Sequence, residues 1–384
     1  MTIIFAILAL SVIVFFHEFG HFLSAKISGV KVEEFGFGYP PRVGGFSFVE
    51  HKDRKGKKII FYRGKNVPAD SKNTLYSLNY IPFGGFNRLK GELDDNDSQD
   101  SFNNQAWYKK SLISFAGAFM NICLAFLIFT SCFLIGLPRS MEEPIDGHLV
   151  KKIGLQILAI EPNSPAEKSG LKMGDLIIAV NRQNIDSRES LQEKIRLNQQ
   201  DTVQLQIKRG GQNLEKTVDL KPLNQVFADT SSLSYKAVGI VSAQVGLVRY
   251  PFFSSIKQGF ATVISLSQQF FQGLWLLARS VFIGQKLPFQ LVGPVGLTGL
   301  MNDAARVGFV YFLQLAAILS LGLGITQLIP FPALDGFRIL TSFIEGIFKN
   351  PIKPKIEALI INCGFLALLL LMLVITSKEI IKLF

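Results

Sequence analysis

The chain has 384 residues, of which 48% are hydrophobic and only 18% charged, and its mean hydropathy is +0.31. That balance is too apolar for an ordinary water-soluble protein and predicts a membrane protein. The net charge of +11 gathers on no single face or arm, which argues against a nucleic-acid partner.

Four segments are long and apolar enough to cross a bilayer, which takes about 20 residues. They run roughly 2–25, 111–137, 309–329 and 356–377. The first belongs to residues 1–26. Its opening run, MTIIFAILALSVIVFF, lacks the basic start and the small-residue cleavage pattern of a secretion signal, so it reads as a retained helix. That helix carries His17-Glu18-Phe19-Gly20-His21, an HExxH motif. Helical residues four apart share a face, so His17 and His21 can reach one metal ion while Glu18 stands ready to take a proton from water. The chain holds four histidines, and two of them fall at this spacing. A charged side chain at mid-bilayer costs about 2.5–3.5 kcal/mol, so such a cluster points to function. The plainer reading is an interfacial cluster that ends the helix among lipid headgroups.

Residues 27–110 form a polar, Gly-rich stretch with many Lys and Arg, the mark of a cytoplasmic loop. Within it FGFGYPPRVGGFSFVEH, KKIIFYRG and YSLNYIPFGGFNRLKG alternate apolar residues with turn formers, as strands do. Asp94–Asp100 reads as a solvated loop, and His51 as a surface residue. After the second span, residues 111–137, the stretch 148–222 has a soluble composition. Its SPAEKSGLKMGDLIIAVN run resembles a PDZ domain, with Gly170 and Gly174 turning the chain and Asp175 opening a buried strand. His148, at its start, reads as a surface residue.

Residues 251–297 hold a helical stretch, 251–284, and a GPVG loop. Phe260, Val263, Phe270, Leu274, Leu277 and Val281 share one side of that stretch, while Gln268, Gln269, Gln272 and Arg279 interrupt it. An amphipathic helix at the membrane surface fits this pattern, with a fifth span as the alternative. The third span opens residues 309–347 and ends in Gln327-Leu328-Ile329-Pro330-Phe331-Pro332-Ala333-Leu334-Asp335-Gly336. Two prolines break the helix, and irregular backbone at such depth survives only inside protein or along a wet cavity. Asp335 then offers a carboxylate to a site in the membrane, or simply caps the helix that follows. Residues 354–384 hold the last span. Arg338, Lys349, Lys353 and Lys355 put the preceding loop in the cytoplasm, so the N-terminus, the PDZ-like insert and the C-terminus face outward. Cys123, Cys132 and Cys363 lie in apolar runs without a CxxC pair and read as buried thiols.

HEFGH in a first span and LDG after a PxP break in a later one resemble the site-2 protease family of intramembrane zinc metalloproteases. The likeness extends over Tyr80–Glu92, Gly117-Ala118-Phe119-Met120-Asn121, the PDZ-like insert and Leu291–Gly296, and is nearest the bacterial RseP-type members with one PDZ domain. It implies a polytopic α-helical membrane protein of about four spans, with a membrane-associated β-region and an inserted α/β PDZ domain. It implies zinc held by His17, His21 and Asp335, with Glu18 as catalytic base and Asn121 and Gln327 near the substrate. Residues 33–90 would then receive substrate as an added strand. Gln327 stands where the family usually has Asn, Ala118 where Pro is common, and Phe337 where a second Gly often follows LDG.

The implied function is cleavage of single-span membrane proteins in the inner membrane of a bacterium, such as anti-sigma factors or signal-peptide remnants. The PDZ-like domain, on the extracytoplasmic side, would gate or recruit substrate. A non-enzymatic PDZ scaffold and an ion or metal transporter are the alternatives. The first leaves HExxH and LDG unexplained, and the second lacks the internal repeats common among transporters.

Overall fold

The computed structural model describes residues 2–50, 57–63, 73–92, 98–141, 147–161, 163–222, 236–284, 292–349 and 354–381. His51 and residues 94–97 of the expected acidic loop lie outside them. The chain divides into two units, one of residues 1–128, 261–299 and 316–384, the other of residues 129–260 and 300–315.

Among the described residues four helices are long and apolar enough to cross a membrane. They are α1 (Thr2–Ser28), α2 (Trp107–Ile135), α7 (Phe309–Gln327) and α9 (Pro354–Ile381). Lipid supplies no hydrophobic drive between such helices, so they meet through small residues. A Cβ built on Gly20 of α1 would lie 2.3 Å from the Ala116 carbonyl oxygen of α2, and one on Gly324 of α7 would lie 2.8 Å from that of Ala118. The Ser320 hydroxyl adds a hydrogen bond to the Asn121 carbonyl, 2.9 Å. By contrast α9 is apolar all round and only 6% buried, the signature of a helix in lipid. Its fixed points are few: Glu357 against Thr341, Gly364 against Pro332, and Glu379, which accepts the Gly293 N–H at 2.6 Å. Cys363, expected to be buried, is exposed on this helix, because lipid makes an outward-facing thiol acceptable.

Three antiparallel strands, β1 (Val32–Glu50), β2 (Lys57–Arg63) and β3 (Leu75–Leu89), form a sheet in the order β2-β1-β3. Phe37, Gly36, Phe35 and Glu34 of β1 face Gly85, Phe86, Asn87 and Arg88 of β3. Phe35 seats the sheet on α1, with ring centroids 5.4 Å from Phe15 and 4.7 Å from Phe22. Val30, Val32, Leu89, Phe102 and Ile113 complete that core.

The second unit carries a seven-stranded sheet. Its strands are β4 (Leu137–Ser140), β5 (His148–Ile160), β6 (Leu176–Val180), β7 (Gln183–Asn184), β8 (Thr202–Arg209), β9 (Gln212–Asp219) and β12 (Ile240–Arg249). Their order is β4-β12-β5-β6-β8-β9, with β7 beside β6. The pair β10 (Lys221–Pro222) and β11 (Lys236–Ala237) is separate. Helices α3 (Pro165–Lys168) and α4 (Arg188–Leu197) start at Ser164 and Ser187, whose side chains accept N–H groups of the first turn. Leu155, Ile157, Leu191, Leu205 and Ile207 lead the core. Asp175 is buried and takes two bonds of 2.6 Å from Arg209, which raise the guanidinium pKa above its ordinary value. Gly170 and Gly174 turn the chain with φ of +74° and +91°. The sheet reaches past the expected 148–222 domain, since β12 pairs along most of β5. A ten-residue strand set off by the 223–235 stretch gives no sequence cue to its partner.

Helix α5 (Phe252–Ile283) is continuous over 32 residues, about 48 Å. It is not among the four candidate spans, and its Phe260, Phe271 and Trp275 are exposed. Helices α6 (Pro294–Val307) and α8 (Asp335–Phe348) complete the fold.

Candidate metal centre

Residues 17 and 21 lie one helical turn apart on α1, and both imidazoles point at α2. Gly117 of α2 makes the room: a Cβ there would lie 2.3 Å from His21 Nε2 and 2.8 Å from His17 Cε1. The His21 Nδ1–H donates to the Ile113 carbonyl at 2.7 Å, which leaves Nε2 as the free lone pair. His17 Nδ1 faces the Asn121 amide, whose Nδ2 is 3.4 Å away and whose Oδ1 is buried without a partner. With His17 Nε2 turned inward, Nδ1 carries the proton. The amide, reversed end for end, accepts it through Oδ1.

Asp335 arrives from the other end of the chain. After α7 the backbone breaks at Pro330 and Pro332, and Ala333 takes a left-handed conformation, φ +81°. A side chain in that region is uncommon and strained, as happens at functional sites. Gln327 spans the break, its Oε1 accepting the Asp335 backbone N–H at 3.4 Å. Asp335 Oδ2 ends 3.1 Å from His17 Nε2 and 3.2 Å from His21 Nε2, and the two Nε2 atoms are 3.2 Å apart.

This triangle suits a metal. Tetrahedral zinc with bonds of 2.0–2.1 Å holds its donors about 3.3 Å apart. Among the described residues, buried Oδ2 finds no hydrogen-bond donor, as an atom reserved for a cation would. Among the described residues, His17, His21 and Asp335 are the group able to hold such an ion.

The three donors and Glu18 line one cleft of about 370 Å³. Tyr39, Asn87, Glu92, Gln327 and Arg338 share its wall. Burial, together with the charge of Glu18, holds the Tyr39 phenol above its ordinary pKa, so it stays protonated. Arg338, one turn past Asp335, pairs with Glu92 beyond the end of β3. Asn121 is fully buried behind His17 and does not line the cleft. His148 is exposed and starts β5.

The family model "Peptidase family M50" matches residues 5–54 and 56–371. The chain belongs to peptidase family M50, the site-2 proteases. It is 33% identical to a Clostridium perfringens protein named "Putative zinc metalloprotease", over 99% of each chain. The "Zinc metalloprotease RasP" of Geobacillus kaustophilus is 26% identical, over 100% of this chain and 98% of that one. Among solved structures, the PDZ domain of an SdrC-like protein from Listeria innocua is 24% identical and covers 23% of this chain and 92% of that one, with a TM-score of 0.20. This M50 protein is therefore an intramembrane zinc metalloprotease. Glu92, Arg338, Tyr39 and Asn87 had no place among the site residues expected from sequence, although Tyr80–Glu92 carried part of the family likeness.

Proposed function

We propose that His17, His21 and Asp335 hold the zinc ion and that Glu18 is the general base in cleavage of single-span membrane proteins. The observation that carries this reading is the triangle of donor atoms, with sides of 3.1–3.2 Å, beside Glu18 in one cleft. When bound, zinc supplies Lewis acidity, which acidifies water and polarises a carbonyl. The chain's own groups do the rest. Glu18 takes a proton from water on its carboxylate and passes it to the departing amine nitrogen. Asn121 and the Ile113 carbonyl keep the two imidazoles turned inward, as second partners of metal-bound histidines do. Gln327 meets substrate at the cleft wall and steadies Asp335.

A substrate helix hides its peptide bonds and must unwind before cleavage. An edge of the β2-β1-β3 sheet offers main-chain partners to the unwound segment. The many Lys and Arg residues of 27–110 support a cytoplasmic side of a bacterial inner membrane for that sheet, and an extracytoplasmic side for the PDZ-like domain. There the domain acts as a gate against substrates that still carry bulky outer portions.

The test is cleavage of a single-span reporter by protein in proteoliposomes. Wild type should cut, and a chelator or Glu18→Gln should stop it. Cleavage that persists in Glu18→Gln would overturn the assignment of Glu18 as the base.

A further inference from the structure

Among the described residues, the polar atoms of the Asn87 side chain find no partner. It sits on β3 opposite Phe35 of β1 and lines the cleft with His17, Glu18 and Asp335. Both Nδ2 and Oδ1 are shut off from solvent, and neither makes a hydrogen bond. Buried polar groups are almost always paired, so an exception needs a cause.

The direction of the side chain suggests one. A Cβ built on Gly85 would lie 3.8 Å from Glu18 Cγ and 3.7 Å from Phe15 Cδ2, so that face of β3 looks at α1. Side chains alternate along a strand, which turns Asn87 the same way. Leu89, two residues further on, is buried in the core with α1. Two residues of strand span about 6.8 Å, and two residues of an extended substrate cover the same distance. A carboxamide presents a donor and an acceptor side by side, as a peptide group does.

We propose that Asn87 binds the unwound substrate through one of its peptide groups, about two residues from the bond that is cut. This rests on the protease reading above. The amide is already shut off from water, so its side of the pairing gives up no bonds to solvent. Glu92, three residues past the end of β3, pairs with Arg338 in the wall of the same cleft. Because both amide atoms are shut off from solvent, substrate reaches them only as the end of β3 moves aside.

The test measures binding on the full-length Glu18→Gln protein in detergent, with and without Asn87→Leu. The probes are a fluorescent single-span reporter peptide and a set of its single backbone esters, each lacking one N–H. Asn87→Leu should weaken binding of the parent peptide about tenfold. One ester should weaken binding to the Asn87 protein by a similar factor and make no further difference once residue 87 is leucine. The thermal midpoint without substrate should hold or rise, since leucine replaces an unpaired amide. Unchanged affinity, or ester losses that simply add to that of Asn87→Leu, would overturn the proposal. Asn87→Ala repeats the cycle if leucine does not fold. The cycle needs no turnover, so its failure is distinct from that of the protease assignment, which shows as absent Glu18-dependent cleavage.

Discussion

In the inserted domain Leu155, Ile157, Leu205, Ile207 and Val218 are at most 1% exposed, and the buried Asp175 is answered on two sides by Arg209. The wall of the cleft is built otherwise. Among the described residues, Asn87 and Asp335 each keep a buried polar atom with no hydrogen bond, and Ala333 sits in a strained backbone region. In the first region local preferences agree with one another, as they do in a sequence selected to fold. In the second they disagree, and each disagreement lies within reach of the metal site or the cleft. Unsatisfied groups there are offers to a ligand, and the structure around them supplies the stability they lack.

The sharpest way to break this contrast is Gly117→Ala, ordinarily a mild change in a helix. Because the new methyl would lie 2.3 Å from His21 Nε2, bound zinc and cleavage should both vanish, as metal analysis and the reporter assay would show. Zinc retained at full occupancy would mean that the imidazoles have room to move. Next in size, Leu205→Ala in the inserted domain should cost about 2–5 kcal/mol in denaturant unfolding of that domain while zinc content stays constant. A parallel loss of zinc would show that the two regions are not independent. Asn121→Leu should lower zinc affinity about 10–100-fold, through His17 orientation; competition with a chelating dye measures it. The smallest effect should come from Ala333→Gly. Relief of the left-handed strain should raise stability by about 1 kcal/mol, and a fall in thermal midpoint would show that Ala333 is not strained.

Much of the site was legible because its signals are local. HExxH needs only helical spacing to bring His17 and His21 together, and the two prolines before Asp335 announce broken backbone in an apolar run. The alternation of the three strands was visible for the same reason. What could not be read depends on contacts between distant segments. Glu92 and Arg338 are 246 positions apart, and from sequence Arg338 counted only as a basic residue near a span. Nothing in the run Gly117–Asn121 says that the glycine is there to clear two imidazoles. Asn87 carries no cue either, since an amide in a strand is ordinary until its partners are found missing. Cys363 was misplaced because apolar surroundings in sequence do not separate a protein core from lipid.

Helix α9 touches the rest of its unit at few places, among them Gly364 at Pro332 and Glu379 at Gly293, about four turns apart. Elsewhere its leucines answer to hydrocarbon alone, and any oily side chain serves hydrocarbon equally well. Such a surface is free to drift among Leu, Ile, Val and Phe without selective consequence. Over long divergence this segment should lose its identity first, keeping its anchors and its length after its residues have been exchanged.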